Sequence, residues 1–208
     1  RIVKMGLISN GTTLLDAGAL DSGVATGAMT LISTSTASSS ATIDITSGID
    51  STYKEYVFKF INIHPANDDI NFQFQADVGT GTSYAQTITS SHFRATHGED
   101  ASSEAVSYIS GGDLNQETGF QLLAGSVGND ADQNIAGILH LFDPSSTTFV
   151  KHFIAENTNY QNNDGAWHNF VAGYCNVTAA IDGVQFAMSA GNIDAGTFKM
   201  YGVGPKQS

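Results

Sequence analysis

The sequence predicts an all-β fold, an antiparallel β-sandwich of the jelly-roll type with an extended N-terminal arm. From Met29 onward, apolar residues recur at every second position in short runs, which is the strand period. Gly, Pro, Asn and Asp separate the runs, and no long stretch has the 3.6-residue helical period. Many short strands with such turns are typical of sandwiches and barrels. Loops of unequal length without a repeating unit favour a jelly roll over a propeller or solenoid.

Two regions follow from the same pattern: an N-terminal arm, residues 1–27, and a sandwich domain, residues 28–208. The arm is rich in Gly and Ala and has mixed periodicity, with one short helix expected near residues 13–20. An arm this apolar is expected to dock either on its own domain or on a neighbour. The residues that predict this attachment are Ile2, Val3, Met5, Leu7 and Ile8.

The central strand of the sandwich is predicted within DSTYKEYVFKFINIHP, residues 50–65. One face of this strand would carry Tyr56, Phe58 and Phe60. The other face would carry Val57, Ile61 and Ile63 together with Lys59. A strand that is apolar on both faces lies in the middle of a covered sheet or at a subunit contact. Pro65 ends the strand because proline cannot donate to the ladder. The Ser/Thr-rich run before it, residues 33–49, is expected to be a flexible joint.

Further alternating runs predict the remaining strands. They lie over residues 29–34, 41–47, 70–77, 84–97, 105–110, 119–127, 135–143, 148–156, 167–175, 183–190 and 197–203. The segment NYQNNDGA, residues 159–166, is interpreted as a loop because of its Asn, Asp and Gly content.

The charge balance disfavours nucleic acid and anionic membrane surfaces as partners. The chain has 20 Asp and Glu residues against 8 Lys and Arg residues, a formal net charge of −12, so a phosphate backbone would be repelled. Its one cysteine, Cys175, excludes an intrachain disulfide and a thiolate zinc cage. Cys175 lies in an alternating run and is interpreted as a small buried hydrophobic residue.

No motif indicates an enzyme or a required cofactor. The six histidines have no metal-ligand spacing, and the nucleophile elbow, phosphate loop and dinucleotide fingerprint are missing from the sequence. Two weaker patterns remain. Asp130, Asp132 and Asn134 alternate as calcium ligands do, although the Gly and bidentate Glu of a full calcium loop are lacking. A structural calcium ion is therefore one interpretation and solvated turn residues are the other.

A glycan-binding surface is suggested by the amide-rich stretch NTNYQNNDGAWHN, residues 157–169. Exposed aromatic rings beside amides can bind sugars, and the candidates are Trp167, Tyr160, Asn162 and Asn163. The alternative is that Trp167 begins a strand and packs in the sandwich.

Three segments carry a resemblance to a known group. TIDITSGIDSTYKEYVFKFINIHP, DPSSTTFVKHFI and GNIDAGTFKMYGV resemble segments of small virion proteins, of the tail-fibre or decoration type, from marine tailed bacteriophages of cyanobacteria and other ocean bacteria. The resemblance covers about residues 30–204, and KMYGV stands where the group commonly has LYG. ISNGTTLLDAGALDSG also resembles the linker that precedes such modules. These motifs are structural rather than catalytic, so they support membership in this group of virion proteins better than they support any activity.

The resemblance implies a non-enzymatic structural protein located in the virion, as a capsid decoration, fibre or spike subunit. The arm would attach it to the particle, and its partners would be other virion proteins and copies of itself, with a trimer expected. The alternative function is a host-surface glycan-binding module at the tip of a tail fibre. A polysaccharide depolymerase is a third, less favoured hypothesis, because no carboxylate pair can be chosen from the sequence.

Overall fold

The structure is a computed structural model that describes residues 29–79 and 82–204 fully and the backbone of three short strands in the arm. These are β1 (Leu7–Ser9), β2 (Thr12–Asp16) and β3 (Ala19–Leu20), which pair antiparallel in a sheet of their own. The short helix expected near residues 13–20 is therefore wrong: Thr13 pairs with Ile8, and Leu15 pairs with both Leu7 and Leu20. β-Branched Thr12 and Thr13 favour this strand.

The predicted attachment residues lie largely outside this description. Ile2, Val3 and Met5 are outside the described residues, and the side chains of Leu7 and Ile8 in β1 are too. No helix long and apolar enough to cross a membrane occurs in the part of the chain that the structure describes.

Thirteen further strands form one antiparallel sheet. They are β4 (Met29–Ser40), β5 (Thr42–Ile45), β6 (Glu55–Pro65), β7 (Ile70–Val78), β8 (Ile88–Gly98), β9 (Ala105–Tyr108), β10 (Asn115–Glu117), β11 (Gln121–Val127), β12 (Ile135–Phe142), β13 (Lys151–Gln161), β14 (Gly165–Cys175), β15 (Ile181–Met188) and β16 (Ile193–Val203). The predicted all-β antiparallel class is confirmed.

The sheet folds back on itself in two layers. The front layer has the order β4-β16-β6-β12-β13-β14-β8, with β9 and β10 paired to β8, and the back layer has the order β5-β15-β7-β11. The layers meet where Val127 of β11 pairs with Gln161 of β13. At the other end, only Ala41 separates β4 from β5 in the chain. The result is a nearly closed, sandwich-like fold.

Aromatic rings from both layers fill the space between them. Phe60 of the front layer contacts Phe72 and Phe186 of the back layer, each with ring centroids 5.1 Å apart and edges against faces. Phe74 and Phe153 make the same kind of contact farther along, also at 5.1 Å. Burying a side chain of this size contributes roughly 1.5–3 kcal/mol, and edge-to-face pairs add to it.

The central strand is placed as predicted, with one difference. β6 lies between β16 and β12, and Tyr56, Phe58 and Phe60 point into the core. Ile61 is 41% exposed, whereas Ile63, predicted on the same outer face, is 0% exposed. Asn62 explains this, because its φ of +52° puts a bulge in the strand and shifts the pairing with β12. A one-residue bulge reverses which face the following side chains occupy.

The Ser/Thr-rich run is not a flexible joint. It continues β4, which pairs with β16 from Met29 to Ser40 and forms one end of the sheet. Thr and Ser suit this position because β-branched Thr favours extended backbone and hydroxyls tolerate the exposed face of an edge strand.

A row of buried amides holds the two layers together beneath β11. The Asn157 side chain donates to the Leu123 carbonyl at 3.4 Å, and the Asn159 side chain donates to the Gly125 carbonyl at 3.2 Å. Asn169 donates to the Asn159 side-chain oxygen at 2.9 Å. We call Asn157, Asn159 and Asn169 the amide row. The amide row donates hydrogen bonds to carbonyls of β11. These carbonyls need such donors because β11 pairs with β13 through a single residue pair.

Replacing Asn159 with Ala should destabilise the fold by about 1–3 kcal/mol, because the Gly125 carbonyl and the Asn169 amide both lose their partner in a buried place. Urea unfolding monitored by tryptophan fluorescence measures this. The matched control is Asn163→Ala at an exposed turn, which should change the free energy of unfolding by less than about 0.5 kcal/mol. Equal effects of the two substitutions would contradict the role of the amide row.

Candidate functional site

An open cleft lies at one end of the front layer, where β13, β14 and β8 end together. Tyr160, Ala166 and His97 are cross-strand neighbours there and share the outer face. The cleft has a volume of about 380 Å³ and is lined by His97, Glu99, Asp132, Asn134, Thr158, Asn159, Tyr160, Gly165 and Ala166. We call it the end cleft.

The Tyr160 hydroxyl is held by carboxylates in the end cleft. It donates to Glu99 Oε1 at 2.8 Å, with Asp164 Oδ1 at 3.5 Å. The hydrogen bond to Glu99, together with the nearby carboxylates of Glu99, Asp164 and Asp132, raises the pKa of Tyr160 to about 12. The phenol therefore keeps its proton at neutral pH. At the rim, His97 Nε2 lies 3.2 Å from Glu104 Oε1. The end cleft is thus acidic, polar and fitted with one aromatic ring.

An apolar patch adjoins the cleft on the same outer face. Phe93 of β8 stacks on Phe170 of β14 with ring centroids 4.7 Å apart and planes 10° apart, and the His168 ring covers Phe170 at 4.2 Å. Phe93 itself is 45% exposed. Three further exposed apolar side chains surround the stack: Ile154 (51%), Tyr108 (59%) and Val106 (77%). We call Phe93, Val106, Tyr108, Ile154 and Phe170 the apolar patch.

The predicted glycan-binding residues do not share one surface. Residues 157–168 are not a loop: β13 and β14 form a hairpin whose turn is limited to residues 162–164. Tyr160 points outward into the end cleft, and Asn162 and Asn163 lie in the turn. Trp167 is half-buried in β14 on the opposite face, where the Arg94 guanidinium lies 3.3 Å from its ring centroid. The alternative interpretation of Trp167, a strand residue that packs, fits this position.

The predicted calcium residues are only partly together. Asp132 and Asn134 line the end cleft, but Asp130 is not among the lining residues. The turn is closed locally by Gln133, whose side chain accepts from the Asp130 amide at 3.0 Å. Within residues 29–79 and 82–204, no group of three or more His, Cys, Asp or Glu side chains is arranged to hold a metal ion. A calcium ion at Asp130, Asp132 and Asn134 stays a prediction.

The cleft also contains residues that sequence reasoning missed, namely His97 and Thr158. β8 is far from β13 and β14 in the chain, and it reaches them through its pairing with β14. The sequence offers no signal for that register, because alternation defines the faces of a strand but not its neighbours.

Comparison with known proteins found no match: no family model, no curated protein and no solved structure matches the chain.

The Cys175 thiol should be unreactive in the folded protein. Cys175 is fully buried, and burial raises the pKa of its thiol to about 12, although nearby Lys151 opposes this. Because only the thiolate is nucleophilic, a disulfide reagent at pH 8 should react orders of magnitude more slowly than with a free thiol. Absorbance of the released chromophore measures the rate. The same chain in denaturant should react fully, and fast labelling of the native chain would show that Cys175 is accessible.

Proposed function

We propose that the chain is a non-enzymatic structural subunit of a bacteriophage virion that assembles with copies of itself through the apolar patch. The observation that carries this proposal is the patch itself, since exposed apolar side chains this close together on one face of a sheet favour a protein contact. The resemblance to marine phage virion proteins supports the setting. In that setting the arm, residues 1–27, would join the subunit to the particle.

The ring geometry favours a protein partner over a sugar at the patch. Phe93 and Phe170 turn one face toward each other and the His168 ring packs against Phe170, so these ring faces are not free to stack on a sugar. The rings of neighbouring strands instead border grooves that can accept side chains of another subunit. One such groove, of about 190 Å³, lies between Phe93, Phe170 and Ile154.

The charges around the patch favour a second copy as the partner. Two acidic side chains beside it have partners within the chain: Glu156 lies 2.9 Å from His168 Nε2, and Asp113 accepts a hydrogen bond from the Tyr108 hydroxyl. A second subunit can therefore pack on the patch without leaving these two carboxylates unpartnered. Salt in seawater would further screen the net charge of −12 carried by each copy. A trimer remains the predicted assembly.

We further propose that the fold is a jelly roll with two insertions. If β4, β5, β6, β7, β11, β12, β15 and β16 are numbered one to eight, the layers have the orders 1-8-3-6 and 2-7-4-5. This is the connectivity of two Greek keys in a jelly roll. The insertions are β8–β10 and β13–β14, and they widen the front layer. The end cleft and the apolar patch lie mainly on these inserted strands, which supports their being functional additions.

Replacing Ile154 with Glu should dissociate the assembly, because each contact would bury an unpaired carboxylate. Light scattering after size-exclusion chromatography should give a multiple of the chain mass for the wild type and a single chain for the variant. Thermal unfolding of the dissociated variant should remain cooperative, since Ile154 is 51% exposed.

The matched control is Ser51→Glu, which adds the same charge at an exposed position outside the patch. It should leave the mass of the assembly unchanged. A wild-type chain that is monomeric up to high concentration would overturn assembly through the patch, and equal dissociation by both substitutions would mean that charge, not location, is responsible.

Glycan binding is the second candidate function, and the end cleft favours it. Tyr160 lies there among carboxylate, amide and hydroxyl groups that can bond sugar hydroxyls. Tyr160→Ala should abolish binding on a glycan array, whereas Trp167→Ala should weaken it less, because Trp167 faces the other side of the sheet under Arg94. Binding that depends on Trp167 and not on Tyr160 would exclude the end cleft as the site.

A further inference from the structure

A second cavity lies at one end of the back layer, away from the end cleft. Three neighbouring strands meet there: Gly183 of β15 pairs with Asp77 of β7, and Gln185 of β15 pairs with Asp44 of β5. The cavity measures about 340 Å³ and is lined by Thr46, Asp77, Gly79, Thr82, Tyr84, Asp182 and Gly183. Its lining is almost entirely oxygen-bearing or without a side chain.

Asp77 is a buried carboxylate without a cation beside it. It is 1% exposed, and Oδ1 accepts a hydrogen bond from the Ser83 hydroxyl at 3.1 Å. No Lys, Arg or His of the described residues forms an ion pair with it. An ionised carboxylate buried in this way is costly unless a positive charge compensates it.

Tyr84 independently points to a missing polar partner. The residue is 7% exposed and lines the cavity, yet its hydroxyl has no hydrogen-bond partner among the described residues. A buried hydroxyl normally bonds to protein or to ordered water. Gly183 borders both groups, since a Cβ there would make ordinary contacts with Asp77 Cβ at 3.5 Å and the Tyr84 ring at 3.9 Å.

A third carboxylate, that of Asp44, is near but already engaged. Its Oδ2 accepts from the Thr42 hydroxyl and its Oδ1 from the Gln185 side chain, both at 2.6 Å. It lies close enough to Tyr84 to help raise the pKa of that phenol, but it does not accept a well-formed hydrogen bond from the hydroxyl. Two carboxylates therefore remain to line the cavity, Asp77 and Asp182, together with the hydroxyl groups of Thr46, Thr82 and Tyr84.

We infer that this cavity binds a divalent cation of the calcium class, with Asp77 and Asp182 as its charged ligands. Calcium takes six to eight oxygen ligands in flexible geometry and accepts carboxylates, neutral oxygens and water together. Two carboxylates give the ion its charge balance and compensate the buried Asp77. The Tyr84 hydroxyl lies where it can bond to water on the ion. The site would use only two acidic side chains. Among the described residues, no group of three or more His, Cys, Asp or Glu side chains is arranged to hold a metal ion.

Terbium luminescence on the full chain tests the inference. Tb³⁺ substitutes for Ca²⁺ and emits when excited through a nearby tyrosine, so chelator-treated protein should sensitise Tb³⁺, and added Ca²⁺ should suppress the emission by competition. Calorimetry with Ca²⁺ alone provides the affinity. Tyr84→Phe should lower the Tb³⁺ emission while Ca²⁺ binding persists, because Tyr84 lines the cavity and is not a charged ligand.

Two ligand variants and one control locate the ion. Asp77→Asn and Asp182→Asn should each weaken Ca²⁺ binding at least about tenfold. Asp182 is half-buried, so its variant serves as the test if Asp77→Asn fails to fold. Asp132→Asn tests the calcium site predicted at Asp130, Asp132 and Asn134, whereas Glu117→Gln, which removes an exposed acid of β10 outside both places, should leave the affinity unchanged. No Ca²⁺ binding by the wild type, or loss in Asp132→Asn with retention in Asp182→Asn, would overturn the site.

Discussion

The folding of one sheet into two layers depends on satisfying the backbone of β11. This strand pairs with β7 along one edge and reaches β13 through a single residue pair along the other, so its carbonyls face the interior of the front layer. Each buried carbonyl left without a donor would cost about 1–3 kcal/mol. Asn157 and Asn159 supply the donors from β13. Because they do, the inserted strands can lie over β11 and present the apolar patch and the end cleft outward.

The few cations of the described chain are mostly committed to structural contacts. Lys54 pairs with Asp143 at 2.9 Å, Lys59 lies over the Tyr201 ring and Arg94 over the Trp167 ring. Lys151 is fully buried, and its ammonium group donates to three carbonyls, those of Phe149, Val177 and Ala179. Burial lowers the pKa of Lys151, and the nearby Asp143 carboxylate opposes this shift. With these cations used in this way, the acidic cavity at Asp77 has no cation from the described residues to balance it.

Local sequence patterns were sufficient for the strands but not for the surfaces. Period-two alternation located β7, β12 and β16, and the double-faced apolar pattern identified β6 as central. The same rule placed Ile63 on the wrong face, because the bulge at Asn62 shifts the alternation. The bulge comes from the left-handed backbone of Asn62, which the sequence alone does not reveal. Sequence reasoning also treated the Ser/Thr run as a joint, since composition does not reveal the β16 partner that orders it. The end cleft combines residues from β8 and β13, and long-range pairing of that kind leaves no mark on either segment.

The contrast between two tyrosines shows why we infer a cation beside Asp77 rather than beside Tyr160. Carboxylates surround both, and the pKa of each is raised to about 12, by burial first for Tyr84 and by the hydrogen bond to Glu99 first for Tyr160. The Tyr160 hydroxyl already donates its hydrogen bond to Glu99, and the carboxylates around it are largely hydrated. Tyr84 is buried beside a buried carboxylate and has no partner for its hydroxyl among the described residues. Water can solvate the first arrangement, whereas in the second the buried Asp77 carboxylate and Tyr84 hydroxyl are the groups that the inferred ligand would satisfy. A hard cation with its own water satisfies both the charge of Asp77 and the hydroxyl of Tyr84, and a neutral ligand would leave the charge unbalanced.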